Sequence, residues 1–175
     1  VLRILWACVQ ATIFRFSFHN WYGWRNLLLR CFGARLHPTA VVRRTVRIEC
    51  PWNLTMGANS CLGDFAIAYC LGPVVLGDRV SVSQYAHLCA GTHDYRHPDM
   101  PLVRKPITVE DDAWIAADAF VGPGVRVGQG AVLGARAVAM RDLEPWWVYS
   151  GHSAEKCYAR KSSPDAEPTA SDRSC

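Results

Sequence analysis

The stretches LGDRVSVSQYAHLCAGTH (residues 76–93) and VEDDAWIAADAFVGPGVRVGQGAVLGARAV (residues 109–138) read as one six-residue repeat. Each six opens on an aliphatic residue: Leu76, Val82, Leu88, Val109, Ile115, Val121, Val127, Leu133. The fifth position is small or β-branched throughout, from Val80 and Ala86 to Ala131 and Ala137, and the second is often Gly. A helix needs apolar residues three and four apart, and a simple strand needs them at every second place. Neither spacing fits. A short strand followed by a tight corner does: the aliphatic residue points inward, the small one fills the bend, and Gly or Asp supplies unusual backbone angles. Units of this kind bury their apolar face only by stacking on one another, which makes a solenoid. A β-sandwich would instead alternate, with turns roughly every 8–12 residues.

Toward the N-terminus the sixes continue less strictly from Leu36 as LHPTAV, VRRTVR and IECPWN. Two extra residues precede MGANSC and LGDFAI, and a second two-residue slip precedes CLGPVV. Between the two quoted stretches the period breaks over residues 94–108 (DYRHPDMPLVRKPIT) and then resumes in register. Such an insertion leaves and re-enters the solenoid at one corner, and a long loop without structure of its own is usually functional. His93 stands at its root, on a rigid coil beside a flexible cover. His87 and His93 fall at the sixth positions of successive sixes, which places them at adjacent corners facing different ways and argues against a shared metal.

The chain has 175 residues and a formal charge of +4, enough for one domain with a real core. The charge is uneven: eight arginines, from Arg3 to Arg47, precede the first acidic residue, Glu49. Eight cysteines without a CxxC pair suit a reducing compartment, with cysteine used as a small apolar residue. Residues 1–33 are apolar, aromatic and basic, and are expected to be helical. Their apolar run is shorter than the roughly 20 residues a membrane span needs, and no small-residue cleavage site follows it. Two readings stay open: helices packed on the end or side of the solenoid, or helices lying on an anionic membrane surface. The solenoid is expected over 34–150, with a turn and short helix over 151–161 and a disordered Ser/Pro/Ala/Asp-rich tail over 162–175.

The sequence from Thr92-His93-Asp94-Tyr95, through Lys105-Pro106-Ile107, to Asp112-Ala113-Trp114-Ile115 closely resembles the hexapeptide-repeat sugar O-acetyltransferases. It is nearest to the colanic acid biosynthesis type and more distantly similar to maltose and galactoside acetyltransferases. The resemblance runs from about residue 10 to residue 160. It implies an all-β fold, a left-handed parallel β-helix of triangular section with N-terminal helices and a short C-terminal helix. It also implies a cytoplasmic homotrimer with active sites between subunits, acetyl-CoA as co-substrate, no metal and no nucleic-acid partner.

By that resemblance His93 is the general base for a sugar hydroxyl, a poor nucleophile that needs a proton acceptor near neutral pH. Asp64 or Cys70, according to alignment, with Asp94, Tyr95 and His97, would hold the acceptor. Trp114, Ala116, Ala117, Ala135, Arg141 and Lys156 would line the acetyl-CoA groove, Arg141 near the phosphates. The chain departs from the family's usual pattern at Ala116, where relatives carry Gly, and at His152-Ser153, where they carry Asn-Pro. The expected activity is O-acetylation of a saccharide of a surface polysaccharide, with peripheral membrane contact through residues 1–32 if the acceptor is lipid-linked. The alternatives are a non-catalytic β-helix assembly or binding protein, and a zinc-dependent hydratase of the hexapeptide carbonic anhydrase type using His97 and a neighbouring chain.

Overall fold

In the computed structural model, which describes residues 1–159, the aliphatic first positions stack into three columns, one per face of a triangular coil. On the first face the strands Arg35–Leu36, Leu54–Met56, Val74–Leu76, Ile107–Val109 and Arg126–Val127 pair in parallel register. The second carries Val41–Val42, Cys61–Leu62, Ser81–Val82, Trp114–Ile115 and Val132–Leu133, and the third Arg47–Ile48, Ile67–Tyr69, His87–Cys89, Phe120–Val121 and Val138–Ala139. The columns Leu36-Met56-Leu76-Val109-Val127, Val42-Leu62-Val82-Ile115-Leu133 and Ile48-Ala68-Leu88-Val121-Ala139 are all buried. Stacked parallel strands so enclosed form the core of a parallel β-helix, the architecture of the left-handed hexapeptide coil.

Corner chemistry divides between two positions. At most corners the fourth residue of the six is left-handed: Asn59, Phe65, Arg79, Tyr85, Asp112, Asp118, Arg136 and Trp146 have φ between 56° and 63°, and Gly124 and Gly130 join them, whereas the β-branched Thr39 and Thr45 of the first two sixes do not. The second-position glycines serve another purpose. A Cβ on Gly57 would lie 2.6 Å from the carbonyl carbon of Gly77, and one on Gly63 2.8 Å from the amide nitrogen of Gln84. Glycine stands there because the next coil passes too close, not because the backbone needs a positive φ. Sixth positions fall in strands and point outward, so His87 lies on the third face and not at a corner. Cys61 and Cys89 are likewise half-buried on the outer surface, whereas Cys50 and Cys70 lie in the core.

Every departure from six-residue spacing falls at the corner between the third and first faces. The extra residues there include the short 3-10 turn Pro51–Asn53 and the segment 70–73. The insertion after His93 is not a structureless loop. Gly91–His93 and Leu102–Arg104 pair antiparallel as a hairpin, whose neck is so tight that a Cβ on Gly72 would lie 2.8 Å from the carbonyl oxygen of Lys105.

The ends of a coil expose unpaired strand edges, which need covering. At the N-terminal end α1 (Leu2–Val9), a π turn (Gln10–Phe14) and α2 (Tyr22–Cys31) do this with polar side chains, one face at a time. Arg30 Nη2 donates to Leu36 O (2.9 Å), Arg25 Nε to Val42 O (2.7 Å) and Trp6 Nε1 to Ile48 O (2.6 Å), while Ile48 N donates to Gln10 Oε1 (2.7 Å). Arg25 is fully buried, and burial pushes its pKa down; its other nitrogens donate to Ser17 Oγ and the carbonyls of Phe18 and His19.

The C-terminal end corrects an expectation. After the strand Trp147–Ser150 and a turn at Gly151, the short helix expected over 151–161 is an antiparallel strand, Glu155–Ala159, folded back on Trp147–Ser150. The last coil leaves an edge that a helix could not pair and a strand can. The tail at 162–175 lies outside the described residues.

Candidate active site

His93 closes the first strand of the hairpin opposite Leu102. Its exposed ring lies with Nδ1 2.5 Å from the carbonyl oxygen of Met100, across the turn. A carbonyl only accepts, so Nδ1 carries the hydrogen and donates it. The neutral ring therefore keeps its lone pair on Nε2. The turn that supplies the carbonyl is itself fixed: Asp94 N donates to Pro101 O (3.0 Å), Met100 N to His97 O (2.9 Å), and Arg96 N to Asp94 Oδ1 (3.0 Å). Asp94 thus structures the turn, Tyr95 is exposed beside it, and His97 Nδ1 accepts from Asp99 N (3.2 Å).

Asp64 lies elsewhere, on the edge between the second and third faces. Thr45 Oγ1 donates to its Oδ1 at 2.7 Å, and Arg43 Nε stands 3.7 Å from Oδ2. It lines a groove of about 540 Å³ with Phe65, Ser83, Tyr85 and Trp114. Trp114 is 45 % exposed, and its Nε1 donates to Ser83 Oγ at 2.9 Å. The hexads hold a signal here that sequence reasoning passed over, aromatic fourth positions in two consecutive coils. Phe65 and Tyr85 stack with ring centroids 5.1 Å apart and planes 7° from parallel, both exposed. Cys70 is not an acceptor contact. It is fully buried, burial pushes its thiol up to about 12, and its Sγ donates to Cys50 O (3.1 Å).

Ala117 and Ala135 stack on the same edge as Asp64, one coil apart. The carbonyl of Ala117 accepts from Arg136 N (2.9 Å), while the N–H groups of both alanines donate to no protein atom among the described residues. Ala116 is only 6 % exposed, since second positions face the next coil, and it offers a cofactor almost no surface. Arg141 stands on the other edge, that of the hairpin, where it lines a depression of about 280 Å³ with Glu144 and Lys156. Lys156 is already engaged, its Nζ 2.7 Å from Glu144 Oε2 and 3.7 Å from the centre of the Trp147 ring.

The expected site residues therefore divide between two edges of the third face: His93, Asp94, Tyr95, His97 and Arg141 on one; Asp64, Ala117 and Ala135, with Trp114 beside them, on the other. A single chain does not bring them together. Among the described residues no group of three or more His, Cys, Asp or Glu side chains is placed to hold a metal ion.

No family model matches the chain. It is 40 % identical over 150 residues, 86 % of its length and 82 % of the relative's, to a putative colanic acid biosynthesis acetyltransferase of Escherichia coli K12. Its fold superposes on a galactoside acetyltransferase in complex with coenzyme A with a TM-score of 0.82 at 21 % identity, covering 91 % of this chain and 81 % of that one. A hexapeptide-repeat acetyltransferase of Vibrio cholerae complexed with acetyl coenzyme A gives a TM-score of 0.80 at 24 % identity, covering 91 % and 87 %.

Proposed function

The chain belongs to the hexapeptide-repeat acetyltransferases, and on that premise we propose that it moves acetyl from acetyl-CoA to a hydroxyl of a saccharide, with His93 as general base. One observation carries the reading: the hydrogen bond from His93 Nδ1 to Met100 O, which leaves Nε2 free to accept a proton on an exposed hairpin. As the sugar oxygen attacks the thioester carbonyl, its proton passes to Nε2 and a C–O bond forms. Collapse of the tetrahedral adduct breaks the C–S bond, and the imidazolium returns the proton to the departing thiolate. A thioester is already activated, so a proton acceptor and correct placement are the main demands.

The remaining roles follow from the division between the two edges. The free N–H groups of Ala117 and Ala135 suit the amide carbonyls of a pantetheine arm, with Trp114 flanking it and Arg141 offering charge to phosphate. Asp64, beside the stacked Phe65 and Tyr85, suits a sugar. Because these groups flank opposite edges of the third face, the site is completed when the hairpin edge of one copy meets the groove edge of the next, as in a homotrimer. The acceptor belongs to a surface polysaccharide under assembly on the cytoplasmic side of a membrane.

His93→Ala should lower turnover by about 10²–10⁴ with the coil intact, followed by release of coenzyme A. Co-expression of His93→Ala with Trp114→Ala should restore part of the activity that each lacks alone, because mixed assemblies contain one intact site. An unchanged rate in His93→Ala removes the imidazole from the chemistry, and no rescue in mixed assemblies removes the shared site.

A further inference from the structure

We infer that the N-terminal helical segment is a docking surface for an anionic lipid bilayer, and that it holds the hairpin edge near the membrane plane. The first helix and its π turn are apolar almost all round, yet only one stripe is used: Trp6 and Phe14 are buried against the coil. Ile4 (69 % exposed), Phe16 (80 %) and Phe18 (69 %) face outward, with Leu5, Ile13, Trp21 and Trp24 also exposed. Phe18 and Trp21 touch, with ring centroids 6.0 Å apart, so the turn between the helices ends in an aromatic knuckle. A helix apolar on its unpacked side, bordered by aromatic rings, is built to lie at an interface.

The charges select the kind of interface. No acidic residue precedes Glu49, and Glu49 is itself ion-paired to Arg3 and Arg47. Arg15, Arg35 and Arg44 are exposed and make no ion pair among the described residues. Apolar rings among unpaired arginines, with no carboxylate to repel phosphate, complement a negatively charged headgroup layer. No described helix is long and apolar enough to cross the bilayer, so the contact is peripheral.

Placement gives the contact a use. Trp6 is bonded to Ile48 on the third face, and Ile48 pairs with Ala68, which pairs with Leu88. Two strand spacings, about 10 Å along the coil, therefore separate the strand that Trp6 caps from the strand that leads to His93. A saccharide carried on a membrane lipid would meet the hairpin edge without leaving the surface. This purpose rests on the proposed acetyl transfer; the binding itself does not.

The test uses the whole chain without substrates, floated with vesicles of phosphatidylcholine alone or with about 30 % phosphatidylglycerol. The expected result is at least tenfold tighter binding to the anionic vesicles, roughly, weakening as salt rises to about 0.5 M. Phe16→Ser/Phe18→Ser/Trp21→Ser should lower that binding at least about tenfold while circular dichroism and thermal unfolding stay the same, and Arg15→Glu should lower it by a smaller factor. In case the triple variant misfolds, quenching of wild-type tryptophan fluorescence by brominated anionic lipid reports the same contact. Equal binding to both vesicle types, or none, overturns the inference. So does a triple variant that binds vesicles normally but loses its oligomeric state in light scattering, since the surface would then join copies of the chain.

Discussion

Along the edge between the second and third faces, all five coils turn in the same six residues, as from Leu62 to Ala68 and from Ile115 to Val121. At the edge between the third and first faces only the turn from Val121 to Val127 keeps that length. The regular edge is held by backbone bonds between successive coils, such as Tyr85 N to Asp64 O (3.0 Å) and Arg136 N to Ala117 O (2.9 Å). That repetition presents evenly spaced N–H groups, which suit an extended ligand lying along the coil. The irregular edge carries one projecting hairpin, which suits a single reacting group. A solenoid can vary one corner freely because each coil is pinned on its other two.

That contrast has a direct test. Replacing the hairpin by a six-residue turn copied from residues 121–126 makes the two edges alike. The coil should still unfold cooperatively, while coenzyme A release falls by about 10²–10⁴, as expected from the role proposed for His93. A rate that survives the exchange would place the chemistry elsewhere, and a chain that no longer folds would make the hairpin a structural part of the coil.

The regular edge is unforgiving at its second positions. A side chain on Gly63 would meet backbone of the next coil within 2.8–2.9 Å, at Gln84 N, Ser83 C and Val82 O. Backbone cannot swing aside as a side chain can, so Gly63→Val should cost about 3 kcal/mol in denaturant unfolding. Phe65→Gly, two residues on, relieves a left-handed φ of 59° and gives up an exposed ring with its stack on Tyr85. It should change stability by less than about 1 kcal/mol. Similar effects at the two positions would mean that the second- and fourth-position roles are not distinct.

The columns of the core were legible because they repeat: an aliphatic residue every six positions has one inward direction, and Leu62, Val82 and Ile115 take it. His93 was legible as the root of an insertion for the same reason. What could not be read depends on partners distant in sequence. Gly63 looks like a turn glycine until the next coil is seen above it. Glu155–Ala159 is a strand because an edge needs pairing, a demand absent from its own composition. Cys70 and Asp64 were interchangeable as acceptor contacts because the slip before CLGPVV leaves the local register open. The structure places one in the core and the other at a groove. The role of Met100 rests on a backbone carbonyl, which leaves no mark in a sequence.

Between the two edges, the third face carries His87, and its effect should be the smallest. The ring is half-buried, edge-on to Tyr69 at 6.3 Å and Phe120 at 5.2 Å, and its buried Nε2 has no hydrogen-bond partner among the described residues. Burial first, and Arg47 second, hold its pKa below the ordinary 6.5. The unfolded chain then takes up the proton more readily than the folded one, so acid favours unfolding. The stability at stake is whole above pH 6.5 and drains as pH falls from there through the lower folded value, with no further loss below it. His87→Leu should therefore flatten the acid side of the stability profile while leaving neutral stability nearly unchanged, as read by urea unfolding at a series of pH values. The same acid slope in both proteins would show that His87 is not its source.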